Sequence, residues 1–182
     1  MSKKIDKMEI LKIFMKEPER EFHIREFAKE IKLSPTTVTS YLEELKKENL
    51  LVKQKSRNVI LYKANLENQI FKETKKFYNI KSILDFGLID YLNIELNYPE
   101  AIIIFGSYAK GENTLRSDID IFILTESKKQ ISLKKFEEKL KAEIQLFIYN
   151  KKEFDNLKIK NKELINNILN GVKLSGFIEV FQ

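Results

Sequence analysis

The sequence predicts a mixed α/β (α+β) protein built as two small domains, and three observations carry that prediction. Residues 1–65 string together helix-period apolar stripes and close with a strand-like alternating pattern. Residues 101–149 bring short apolar runs, "AIIIF", "SDIDIFIL" and "EIQLFIY", separated by a glycine-containing turn and a helical stretch. Charge is also unevenly placed. The first 65 residues hold 15 Lys and Arg against 10 Asp and Glu, so five units of the net +6 belong to the N-terminal third.

A chain of 182 residues that is 43% hydrophobic can bury one good core or two small ones, and its 33% charged residues mark it as soluble. No apolar run reaches 18 residues and no signal-peptide pattern is present, so a cytoplasmic protein with no membrane partner is expected. With no cysteine, disulfides and thiolate metal sites are excluded. The single histidine, His23 in "EFHIREF", rules out a multi-histidine cage and reads as structural.

Taken in order, "IDKMEILKIFMK" spaces Ile5, Met8, Leu11 and Met15 as one helical stripe. "EREFHIREFAKEIKL" gives a short extended lead and a helix carrying Phe27, Ala28 and Ile31. In "LSPTTVTSYLEELKKENLL", Ser34 is placed to cap and Pro35 to take the first helical position, with Val38, Tyr41, Leu42 and Leu45 as the apolar stripe. "LVKQKSRNVILYKAN" then alternates through Val52, Val59, Leu61 and Tyr62 around Lys55, Ser56, Arg57 and Asn58, a two-stranded hairpin with a basic tip.

This order resembles a winged helix-turn-helix domain, carried by "HIREFAKEIKLSPTTVTSYLEELKKENLL" and covering residues 1–65. The resemblance implies that the third helix enters the major groove of double-stranded DNA, with Pro35, Thr36, Thr37, Thr39 and Ser40 facing the bases. Lys46, Lys47, Lys53, Lys55 and Arg57 would contact phosphates. No Arg or Lys precedes Lys46 in that helix, so its leading turn offers no bidentate arginine–guanine contact. Winged helices also serve as dimerisation or protein-docking modules, and that alternative stays open.

Residues 66–98 form a bridge of two expected helices, with Gly87 and Pro99 as punctuation. The first, over 66–78 within a linker taken as 66–80, can connect domains or pair with a second subunit in a homodimer. The second, over 81–97, should pack on the sheet that begins at Ala101 and open a domain spanning 81–182.

Within "GSYAKGENTLRSDIDIFIL", Asp118 and Asp120 share one face of a strand while Ile119, Ile121 and Ile123 share the other. Two carboxylates about 7 Å apart along a strand repel each other, and a divalent cation or basic ligand between them relieves the repulsion. Gly106, Ser107, Gly111, Ser117, Asp118 and Asp120 match the signature of the polymerase-β nucleotidyltransferase superfamily, which the segment resembles. That resemblance implies a nucleotidyltransferase-fold mixed sheet with flanking helices. Asp118 and Asp120 would hold Mg2+ (or Mn2+), and Gly106, Ser107, Lys110 and Ser117 would bind a nucleoside triphosphate (NTP). The short length is similar to that of the minimal nucleotidyltransferases, some of which are antitoxins that transfer AMP to a toxin partner; the antitoxin version of the resemblance would imply a small helical toxin as protein partner.

The family normally carries a third carboxylate on the next core strand. In "KAEIQLFIYNKKEF" that place falls on Gln145, which cannot act as a base, and Glu143 can substitute only if the strand is shifted or bulged. The C-terminal "NKELINNILNGVKLSGFIEVF" reads as a helix ending near Asn170 and Gly171, then an extended segment. Two functions follow. One is a DNA-binding enzyme that transfers a nucleoside monophosphate from NTP to a hydroxyl acceptor. The other is a winged-helix transcriptional regulator whose impaired transferase domain senses nucleotide or docks a protein.

Overall fold

In a computed structural model that describes residues 6–56 and 59–180, the chain is a mixed α+β structure with two sheets. It divides into two compact units, Met1–Lys75 and Lys76–Gln182. The first contains α1 (Lys7–Lys16), β1 (Phe22–His23), α2 (Ile24–Glu30), α3 (Pro35–Lys47), β2 (Leu51–Ser56) and β3 (Val59–Ala64). The helix α4 (Gln69–Asp85) begins in the first unit and continues into the second. The second continues with α5 (Leu88–Glu95), β4 (Ala101–Phe105), α6 (Gly106–Lys110), β5 (Ile119–Leu124), α7 (Lys134–Leu140), β6 (Ile144–Tyr149), α8 (Lys151–Lys160), α9 (Lys162–Leu169) and β7 (Val172–Gly176).

The N-terminal core gathers around three aromatic rings. Phe14, Phe22 and Phe27 lie 4.8 to 5.5 Å apart between centroids, edge-on or tilted, the geometry that aromatic quadrupoles favour. Val38, Leu42 and Leu45 of α3 and Leu51 and Tyr62 of the hairpin are buried with them. α3 starts sharply because Ser34 Oγ accepts the Thr37 amide at 3.1 Å while Pro35 stands in the first turn. The strands pair antiparallel in the order β1-β3-β2. The stripe expected on α1 is rotated: Ile10, Leu11, Phe14 and Met15 are buried, whereas Met8 is 45% exposed. The aromatic cluster centred on Phe14 sets which face turns inward. Ile5 and the expected hairpin tip at Arg57 and Asn58 lie outside the described residues.

The second sheet has the order β6-β5-β4-β7, with β4 antiparallel to both β5 and β7, and β5 parallel to β6. Its central strands are apolar on both sides because both sides are covered. Ile102, Ile104, Ile119, Ile121 and Ile123 pack with Leu88, Leu92 and Phe136. Ala101, Ile103, Phe105, Phe122 and Leu124 pack with Phe154, Ile165 and Ile168.

Three boundaries differ from the sequence expectation. The first bridge helix does not stop near residue 78: α4 runs to Asp85, and the break comes at Gly87, whose φ of +72° suits a residue without Cβ. β5 begins at Ile119, so Asp118 stands one residue ahead of the strand. A helix absent from the expectation, α8, follows β6 directly, fixed by a reciprocal cap in which Asn150 accepts from the Glu153 amide and Glu153 accepts from the Asn150 amide.

Candidate active site

The site forms where β4 ends and β5 begins. Phe105 and Asp120 are direct partners across the antiparallel pair, so the chain leaving β4 turns beside the Asp120 side chain. The residue at that turn is Gly106, with φ +68°. A Cβ built there would stand 2.2 Å from Asp120 Oδ2. Two separate requirements therefore converge on glycine: a left-handed backbone, and space that the carboxylate already occupies. Asp120 lies on the same strand face as Phe122 and Leu124, and it is half-buried.

Partial burial pushes the Asp120 carboxyl above its ordinary value, and the negative charge of Asp118 pushes it the same way. The Asp120 carboxyl thus feels both its partial burial and the charge of Asp118. The donor set is oxygen only, which suits a hard cation that takes one or two carboxylates and completes its shell with water and phosphate oxygens. Among the described residues no group of three His, Cys, Asp or Glu comes together.

The neighbouring strand explains why. β5 and β6 run in unbroken register from Ile119↔Ile144 to Leu124↔Tyr149, which sets Gln145 beside Asp120. Glu143 lies just ahead of β6, exposed, and its carbonyl accepts the Ile119 amide at 2.8 Å. No shift or bulge in this pair carries Glu143 to the level of Asp120.

The loop between α6 and β5 is held by groups that sequence reasoning missed. Asn79, buried on α4, donates to the Tyr108 carbonyl at 3.0 Å and to Asn113 Oδ1 at 2.8 Å. Asn113 is buried as well. Burial raises the Tyr108 phenol above its ordinary value; a hydrogen bond with the Asn113 side chain opposes this, and the charge of Asp118 adds to it. The sequence clue was a polar residue every fourth place in the inward stripe of a helix, Lys75 and Asn79 between Phe71 and Ile83. Ser117 has a structural task too: its hydroxyl oxygen accepts the Thr114 amide at 2.9 Å, closing a turn. Ser107 is half-buried in the first turn of α6, and Lys110 is exposed at its end.

In the N-terminal unit, Pro35, Thr36, Thr37 and Ser40 are exposed at the start of α3, and Thr39 is half-buried with its hydroxyl donating to the Pro35 carbonyl at 2.8 Å. Lys46, Lys47 and Lys55 are exposed. Lys53 is paired with Glu43, which also accepts from the Tyr62 hydroxyl, and that partner raises the lysine above its ordinary value. Arg57 lies outside the described residues.

The second unit thus sets Asp120 near the start of β5 in a covered mixed sheet, with the Gly106 turn against its carboxylate and Asp118 two residues before it. Residues 88–175 match the family model described as "Polymerase beta, Nucleotidyltransferase". This match runs from α5 to β7 and supports a nucleotidyltransferase-family protein. No curated protein and no solved structure matches the chain.

Proposed function

We propose that the C-terminal unit binds a nucleoside triphosphate with Mg2+ or Mn2+ and transfers its nucleoside monophosphate to a hydroxyl acceptor. The observation that carries this reading is the Asp120 carboxylate seated against Gly106 with Asp118 two residues before it. Asp118 and Asp120 would hold the ion, which when bound supplies charge stabilisation at the phosphoryl oxygens. Gly106 has no side chain, which lets the Asp120 carboxylate sit against the turn, and Ser107 follows it in the first turn of α6, where its hydroxyl and amide would meet a phosphate. Lys110 offers a mobile positive charge at the rim.

The acceptor hydroxyl must lose a proton, and Gln145, the strand neighbour of Asp120, cannot take it. Transfer by the wild-type chain is therefore slow, because positioning and electrostatics remain while base catalysis, typically worth about 10²- to 10⁴-fold, is missing. Label transfer from α-phosphate-labelled triphosphates to RNA ends and protein acceptors tests this. Gln145→Asp should raise the rate toward that range and Glu143→Gln should change it little. Rapid wild-type transfer that Glu143→Gln abolishes would place the base at Glu143 and contradict the assignment.

The same glutamine favours a second reading, in which the chain regulates transcription through DNA and the transferase domain senses nucleotide. Support comes from the N-terminal unit, where three helices precede an antiparallel hairpin in the order of a winged helix-turn-helix. The first turn of α3 is exposed and small, and Lys46, Lys47 and Lys55 offer charge to a phosphate backbone.

A further inference from the structure

Helix α4 carries two stripes. One is buried, with Phe71, Lys75, Asn79 and Ile83 recurring every fourth residue. The other is exposed and made of large apolar side chains: Ile70, Phe77 and Leu84, at 66%, 69% and 48% exposure, recur every seventh residue. At about 100° per residue, the middle of the second stripe lies about 180° from the middle of the first, on the outermost face of the helix. A surface helix normally places charged residues there. Three large apolar residues at seven-residue spacing instead form a seam that fills one of the two core positions that each heptad of a coiled coil presents to its partner helix.

We propose that this seam pairs with the same seam of a second copy of the chain, antiparallel, about a twofold axis through Phe77. Such pairing buries one surface against itself and closes at two copies. Charge selects the direction. In the antiparallel register centred on Phe77, position 70 faces 84, 74 faces 80 and 73 faces 81, so Glu73 meets the second copy's Lys81 on both sides of the axis. A parallel register would set Glu73 against Glu73 and Lys81 against Lys81. Lys81 holds Asp85 of its own helix at 2.7 Å and is still more than half exposed, so it can serve both acids. Two helices of 17 residues, each about 25 Å long, bury less than the roughly 1,200–2,000 Å² of a standard stable interface. The dimer is accordingly weak and reversible.

The absence of cysteine from the chain lets single introduced thiols report the register. With a short bis-maleimide cross-linker, full-length Phe77→Cys should give a covalent dimer. Ile70→Cys alone should not, since its two copies would lie about 21 Å apart along the axis, whereas a mixture of Ile70→Cys and Leu84→Cys chains should. In sedimentation, Phe77→Glu should raise the dissociation constant at least about tenfold with an unchanged circular dichroism spectrum. Glu73→Lys should weaken the dimer, and adding Lys81→Glu should restore it. Efficient self-linking of Ile70→Cys would overturn the antiparallel register. A monomer at every concentration up to the solubility limit, or a dimer indifferent to Phe77→Glu, would overturn the seam.

Discussion

Asp120 experiences burial and the charge of Asp118 together, and both favour its protonated form. Its carboxyl therefore holds a proton to higher pH in the folded chain than in the unfolded one. The stability this contributes is fully present below the unfolded value, about 4 for an aspartate, and is lost as pH rises through the raised folded value. Asp120→Asn should then resist denaturant better than wild type at pH 7 without divalent cations, and the gap should vanish near pH 3. A variant less stable than wild type at pH 7 would contradict this electrostatic account. The glycine, the serine and both aspartates were legible in the sequence because their types and spacing are local. That Gly106 is excluded from bearing a side chain by the Asp120 carboxylate itself was not legible, because it depends on a cross-strand register. The turn made by Ser117 and Thr114 is local and was hidden for a different reason: a serine beside an Asp-x-Asp pattern reads first as a ligand.

Elements were legible where an apolar period and a cap agreed, as in α3, where Ser34 and Pro35 mark the start. They were missed where one cue was overlooked. The Asn150 and Glu153 pair, three residues apart, is a helix start in sequence as well as in structure, and it announces α8. The length of α4 was obscured because Asn79 interrupts its inward stripe, yet that asparagine turns inward to bond the Tyr108 carbonyl and Asn113. Asn79→Ala should therefore cost about 1–3 kcal/mol, the net worth of two hydrogen bonds at about 0.5–1.5 kcal/mol each. Amide exchange should quicken in residues 111–117. A change in unfolding free energy within about 0.5 kcal/mol, as for an ordinary surface substitution, would show that the asparagine does not anchor the loop.

At the scale of the whole molecule, the nucleic-acid reading and the nucleotide reading make separable demands. If the N-terminal unit binds DNA through Lys46, Lys47 and Lys55, replacing all three with alanine should reduce the slope of log affinity against log salt by nearly three, at about 0.9 per phosphate contact. Lys53→Ala should leave the slope almost unchanged, because Glu43 already holds that lysine. Equal losses from all four would mean that the ion pair opens on DNA. Among the described residues no helix is long and apolar enough to cross a membrane. If Asp118 and Asp120 form the proposed cation–nucleotide site, thermal unfolding of the full chain with Mg2+ and each nucleoside triphosphate will report it. Wild type should gain about 2.7 kcal/mol at a hundredfold excess of ligand over Kd, Gln145→Asp should keep the gain, and Asp118→Asn with Asp120→Asn should lose it. A shift equal in wild type and the double variant, or none in either, would contradict the site.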